Sequence, residues 1–148
     1  MSHEINTQDL QELIDFHHVS QVVYRYASTV DAKDWSTLRT LFVDDATAKY
    51  GDYPELTGAD AILDFVTKAS EPREWLHHLL SVYHVDVDGD EAVALTYHTS
   101  HQIEPGGTVF GLIVARYRDR LRRVDGAWKI VRKEMEIGVR EKRSARAS

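Results

Sequence analysis

Ser70-Glu-Pro-Arg-Glu-Trp-Leu-His-His-Leu-Leu-Ser-Val82 is the stretch where the chain changes period. Before it, apolar residues recur every three or four positions, as on one face of a helix; after it they alternate, as on a half-buried strand. Downstream lie three turn signals, Asp88-Gly89, Pro105-Gly-Gly107 and Asp125-Gly126. Two of them are the Asp-Gly pair favoured in tight hairpins. The segment from Trp75 onward is therefore predicted to be a run of long antiparallel strands.

Upstream, Leu10, Leu13, Ile14, Val19, Val22, Val23, Tyr26, Ala27 and Val30 form a helical stripe. They predict a first helix from about Asn6 or Thr7, either able to cap it, to Thr29 or Val30. Asp34 predicts the cap of a short second helix that buries Trp35, Leu38, Leu41 and Phe42 and is broken at Asp44-Asp45. Ala46 to Tyr50 alternates enough for a first strand, and Gly51-Asp-Tyr-Pro54 reads as a turn. Thr57-Gly58 introduces a third helix with Ile62, Leu63, Phe65 and Val66 on its apolar side. Three helices followed by a sheet argue for an α+β fold: a curved antiparallel sheet packed against the helices, forming a cone whose apolar interior suits a small-molecule pocket.

The chain has 148 residues, enough for one domain that buries roughly 70% of its unfolded surface. An ordered core is expected over about 7–140, with a short mobile N-terminus and a mobile basic tail from Glu141 to Ser148. No apolar run approaches the roughly 18 residues of a membrane span. Met-Ser-His-Glu-Ile-Asn6 lacks the pattern of a signal peptide and there is no cysteine, so a cytoplasmic location is expected. Missing cysteine also removes thiolate nucleophiles and disulfides, leaving His, carboxylates, hydroxyls and Lys/Arg for chemistry.

The net charge of −6 is uneven: residues 116–148 hold 12 Lys/Arg against 5 Asp/Glu. Arg116, Arg118, Arg120 and Arg122 alternate along one strand, the pattern of a solvated sheet face. With an acidic remainder and no aromatic-basic motif, no nucleic-acid partner is expected.

Asp31 arrives where the first helical stripe reaches the core, and an ionised carboxylate there needs a partner. Adjacent strand residues face opposite ways, so only one of His77 and His78 looks inward. His78 shares its phase with Leu76, Leu80 and Val82 and is the predicted inward residue. Tyr83, Val85 and Val87 carry the apolar character in the other phase, which predicts a bulge near Val82 to His84. A histidine in apolar surroundings can equally be a satisfied core residue, and Asp31 can equally be a helix terminator. On the next strand His101 is in phase with Val93, Leu95, Tyr97 and Ile103, which favours it over His98 as a second polar group in the cavity.

No helical His-x-x-x-His pair, phosphate loop, dinucleotide fingerprint or Gly-x-Ser-x-Gly elbow is present, so neither metal nor cofactor is expected and acid-base chemistry remains. Val109, Gly111, Ile113 and Ala115 oppose Phe110, Leu112 and Val114, making that strand apolar in both phases. Its outer face is expected to be covered by self-association, as a homodimer or homotrimer.

Several segments together resemble the SnoaL-like, scytalone dehydratase-like branch of the nuclear-transport-factor-2-like superfamily. They are Asp31-Ala-Lys-Asp34-Trp35 with its tyrosine-bearing lead-in, Leu38 to Asp45, Leu56-Thr-Gly58, the His78 segment leading to Asp86-Val-Asp-Gly-Asp90, Tyr117-Arg-Asp119 and Asp125-Gly-Ala-Trp-Lys-Ile130. The resemblance spans about 8–138. It implies a cone-shaped fold, frequent homo-oligomers, and a pocket in which Asp31 supports His78 as a base. It further implies that Tyr50 and Tyr26 stand where members carry pocket tyrosines. Two positions depart: Val30 replaces a tyrosine, and Lys133 stands where the dehydrohalogenases have an arginine.

The expected activity is a cofactor-independent lyase, a dehydratase acting on a hydrophobic cyclic or polyketide-like hydroxy-ketone. Asp31, His78, Tyr26 and Tyr50 would be catalytic; His101, Trp35, Phe110 and Lys133 would line the substrate site. An isomerase or cyclase using the same pocket, or a noncatalytic ligand-binding domain, are the alternatives.

Overall fold

The computed structural model describes residues 6–145. Helix α1 runs Thr7–Asp31; Asn6 caps it with a full capping box shared with Asp9. Its buried stripe starts only at Asp15 and continues through Val19, Val23, Tyr26, Ala27 and Val30. Leu10, Leu13 and Ile14, expected in that stripe, are exposed. A helix of this length spans about 37 Å, so its first turns overhang the sheet.

Lys33, in the left-handed region at φ 53°, turns the chain into α2, Trp35–Thr40. Asp34 caps α2 by accepting from the Thr37 amide, as its position predicted. Strand β1 then covers Phe42–Tyr50, four residues earlier than expected. Asp44 and Asp45 lie inside it, both exposed, and Asp44 pairs with Arg39 at 2.8 Å. An outward-facing acidic pair therefore does not end the element. Strand β2, Leu56–Thr57, returns against β1, and α3 covers Ala59–Ser70.

Four long strands follow: β3 Trp75–Asp88, β4 Glu91–Ile103, β5 Val109–Val124 and β6 Ala127–Ser144. The sheet is curved and unclosed, in the order β2-β1-β6-β5-β4-β3. Every neighbouring pair is antiparallel except β1 and β6, which run parallel and make the sheet mixed. The Glu141–Ser144 part of the expected tail continues β6, paired with Leu112 through Val109 of β5. Residues 1–5 and 146–148, expected to be mobile, lie outside the described residues.

The core is where the helices meet the concave face of the sheet. It joins Val19, Val23 and Val30 of α1, Leu38 of α2 and Ile62 of α3 to Ala92, Ala94, Tyr117, Leu121, Trp128 and Ile130 of the strands. On β4 the inward residues are Ala92, Ala94, Thr96, His98, Ser100 and Gln102, all buried. The four alternating arginines of β5 are exposed on the opposite face, between buried Ala115, Tyr117, Asp119 and Leu121.

Helix α1 is anchored at its middle by charge. Buried Asp15 accepts from the Arg123 guanidinium at 3.1 Å, and the same guanidinium reaches Asp90 at 3.0 Å and lies 4.5 Å from the Trp128 ring centroid. Removing the cation strands a buried carboxylate, which costs more than the pair itself contributes. Arg123→Ala should lower the unfolding free energy by about 3 kcal/mol in chemical denaturation, and Arg123→Ala/Asp15→Leu should recover part of that loss. A double variant whose loss equals the sum of the two single losses would mean that the pair is not coupled.

Candidate active site

Asp31 is the last residue of α1, and His78 is the fourth residue of the edge strand β3. The turn that holds Asp31 is tied down from the other side. Lys33 Nζ donates to the carbonyls of Glu71 and Arg73 at 2.7 and 2.9 Å, and Trp35 Nε1 donates to Glu71 Oε2 at 2.8 Å. One oxygen of the Asp31 carboxylate accepts from the His78 backbone amide at 2.9 Å; the other is hydrogen-bonded to His78 Nδ1.

An ionised carboxylate has no proton to give, so Nδ1 carries one and donates, and the lone pair is left on Nε2. Nε2 has no protein partner among the described residues, and His78 lines a cavity of about 240 Å³. Burial raises the pKa of Asp31. The hydrogen bonds and charge of His78 outweigh it, and the carboxyl ends below its ordinary value. The inward direction of His78 follows from the phase of β3, which switches at a register shift between Val82 and His84.

Tyr26 of α1 and Tyr50 at the end of β1 line the same cavity, with their phenol oxygens 2.9 Å apart. Burial is the main cause that raises both phenols far above their usual pKa. Both therefore stay neutral and act as hydrogen-bond donors. Val30, Phe65, Val66, Leu76, Ile113 and Met135 supply the apolar wall.

The other four predicted residues lie outside this cavity. Trp35 latches α2 to the end of α3. Lys133 is fully buried behind the wall, 3.0 and 3.2 Å from the two oxygens of Asp119 and over the rings of Tyr26 and Tyr117 at 3.9 and 3.7 Å. Phe110 packs on His101 on the convex side, with Arg143 at 4.9 Å. His101 belongs to that convex face as well, its Nδ1 3.3 Å from that of His77. The physical reason is the reverse of the one sequence patterning uses. Where β4 faces the helices and the pocket it carries small or polar side chains, while the large apolar Val93, Leu95, Tyr97 and Ile103 are on the outside.

The residue that patterning missed is His98. The residue is 2% exposed, its ring is sandwiched between His78 at 5.1 Å and Tyr117 at 4.5 Å, and it lines the cavity. Both of its ring nitrogens are buried without a hydrogen-bond partner among the described residues. Such groups are costly to bury and suit a pocket that a polar ligand atom fills. Burial, helped by the positive charge of Lys133 and by that of His78 when its ring is protonated, and opposed by Asp31, pushes its pKa down to about 3. The alternation of Ala92, Ala94, Thr96, His98, Ser100 and Gln102 is the signal that marks its face. Among the described residues no three His, Cys, Asp or Glu side chains converge as metal ligands would. No helix among them is long and apolar enough to cross a membrane.

A family model for the SnoaL-like domain matches residues 11–134. The chain belongs to the SnoaL-like domain family. No curated protein sequence matches it significantly. Among solved structures it is similar to a candidate scytalone dehydratase of Novosphingobium aromaticivorans, with a TM-score of 0.83 and 22% identity over 93% of each chain. It is also similar to a hexachlorocyclohexane dehydrochlorinase of Novosphingobium barchaimii, with a TM-score of 0.81 and 19% identity over 90% of this chain and 93% of the other. A third is a candidate dehydratase of Streptomyces avermitilis, with a TM-score of 0.77 and 18% identity over 85% of this chain and 97% of that one. At these identities the likeness speaks to the SnoaL-like fold alone.

The neutral state of His98 has a consequence for stability. Above about pH 6.5 the ring is uncharged in both folded and unfolded chains. As the pH falls, the unfolded chain takes up a proton that the folded ring refuses until about pH 3, so this contribution is lost across that window. His98→Phe should make stability between pH 6.5 and 4 less steep, by up to about 1.4 kcal/mol per pH unit. Denaturant melts at several pH values would show it; an unchanged slope would mean His98 titrates normally.

Proposed function

We propose that this SnoaL-like chain is a cofactor-independent lyase, a dehydratase for a small hydrophobic cyclic or polyketide-like hydroxy-ketone. The observation that carries the proposal is the two-point hold of Asp31 on His78, through Nδ1 and the backbone amide, which leaves Nε2 free at the cavity. Two of the similar structures bear dehydratase names and one a dehydrochlorinase name, all eliminations, which agrees with it.

Nε2 of His78 takes the proton from the carbon beside the substrate carbonyl. Asp31 holds the ring in the required tautomer and stabilises the imidazolium that forms. The electron pair moves onto the carbonyl oxygen, where Tyr26, Tyr50 or neutral His98 donates a hydrogen bond as charge develops. The enolate then expels the β-hydroxyl. The imidazolium gives it the proton, water leaves, and His78 is neutral again. A single base that both takes and returns the proton also suits a 1,3-proton shift, the isomerase alternative; loss of water separates the two.

Cyclic β-hydroxy-ketones, scytalone among them, offered to the protein and followed by mass spectrometry should yield a product lighter by one water. His78→Ala should slow turnover by about 10²–10⁴-fold with substrate binding kept, and Asp31→Asn by a similar factor. The double variant should be no slower than the worse single one, because both changes disable one unit. Independent, multiplying losses would overturn the dyad.

The protein is further proposed to be a homodimer or homotrimer joined through the convex sheet face. That face and its β3 edge leave Trp75, Leu79, Tyr83, Tyr97, Val114 and Val139 exposed on one chain. Light scattering at micromolar concentration should give a mass of two or three chains, and Leu79→Lys/Val114→Lys should reduce it to one; a parent that scatters as a monomer contradicts the assembly.

A further inference from the structure

Strand β6 changes the side it presents partway along. Val114 of β5 pairs with Val139 and Ala115 with Ile137, so Gly138 has no partner across the ladder. One extra residue reverses the phase of everything after it. Before the bulge, Met135 and Ile137 line the cavity. After it, Arg140 and Lys142 do, opposite Ile113 and Gly111. An unbulged strand would have turned Val139 and Glu141 inward instead. The bulge thus sets two cations at one end of the pocket, beside its apolar wall.

Two further charged groups face them. Arg73, just after α3, and Glu104, just after β4, both line the same end of the cavity. Glu104 Oε1 lies 3.6 Å from the Arg73 guanidinium and 3.3 Å from the Lys142 ammonium. Arg140 makes no ion pair among the described residues; its nearest aromatic neighbour is Tyr53, with the guanidinium carbon 6.0 Å from the ring centroid. Glu141 touches the cavity edge from the opposite phase of the strand. Two cations, Arg73 and Lys142, therefore share Glu104 while Arg140 stays unpaired, and the Arg73 Nε is buried with no hydrogen-bond partner among the described residues.

We propose that this rim is a carboxylate site: the ligand is an amphipathic acid whose apolar body enters the cavity toward His78 and whose carboxylate is held at the mouth by Arg140 and Lys142. The proposal rests on the reading of the cavity as a small-ligand pocket but not on elimination chemistry. A planar guanidinium with free donors matches a carboxylate in two-point fashion, and Lys142 adds a point charge that Glu104 only partly offsets. Partial enclosure makes the attraction stronger than at an open surface.

The test uses two probes that differ only in charge, 2-naphthylacetic acid and 2-naphthylacetamide, titrated calorimetrically into the parent, Arg140→Gln/Lys142→Met and His78→Ala proteins. The parent should bind the acid about tenfold tighter than the amide at low salt, and the preference should shrink as salt is added. The double variant should lose the preference while binding the amide as the parent does; if it does not fold, Arg140→Gln alone should at least halve the preference. His78→Ala should keep it, since the rim is separate from the dyad. A parent that binds neither probe, or both equally, overturns the carboxylate site, as does a rim variant that keeps the preference. A protein that prefers the acid yet dehydrates nothing contradicts only the lyase proposal.

Discussion

The Asp31 carboxylate joins the end of the first helix to the backbone and side chain of a strand 47 residues further on. A carboxylate at that depth is tolerated only if its lone pairs are filled, and one peptide N–H and one ring N–H fill them. The requirement works in both directions. It fixes where α1 stops against β3, and it fixes one tautomer of His78. The turn at Lys33 and the Trp35 latch brace the carboxylate from behind, so the dyad is set by backbone geometry from two elements that the chain brings together late.

On β3 the inward phase was legible because the apolar residues themselves change phase at Val82, and the bulge follows from that change. The helices were legible for the same reason, apart from the overhang of Leu10, Leu13 and Ile14, whose apolarity says nothing about where the sheet ends. Strand β4 was misread by the same rule. Its concave face must admit α1 at one end and leave a pocket at the other, so Ala92, Ala94, Thr96 and Ser100 occupy it and apolar bulk moves outward. Patterning takes hydrophobicity as a proxy for burial, and at a site built from small and polar residues the proxy reverses. His98 was hidden for that reason, and His101 was favoured for it.

The parallel pairing of β1 with β6 was beyond local patterning for a different reason. Hairpin signals mark neighbours in sequence, whereas β1 finds its partner more than 80 residues away, and nothing in Phe42 to Tyr50 states the direction of that partner. Likewise the outward arginines of β5 were plain from their alternation. The residues between them were not interpreted, although Asp119 sits in the phase that turns inward. Its partner is Lys133, which neither alternation nor composition connects to it.

That pair sets a second constraint behind the pocket. Burial disfavours both charges, lowering the pKa of Lys133 and raising that of Asp119, while each opposes the effect on the other. The Lys133 ammonium is compensated by two carboxylate oxygens and by the faces of Tyr26 and Tyr117, so most directions around it are occupied. The arrangement reaches the site through the rings: Tyr26 carries the hydroxyl bonded to Tyr50, and Tyr117 carries the stack with His98. A neutral lysine would loosen its hold on both rings together. The same positive charge helps keep His98 unprotonated, whereas the negative charge of Asp31 is held close to His78. A buried cation and a half-buried carboxylate thus set two stacked imidazoles apart: one is bonded to Asp31 through Nδ1 with its Nε2 at the cavity, and its neighbour is kept neutral.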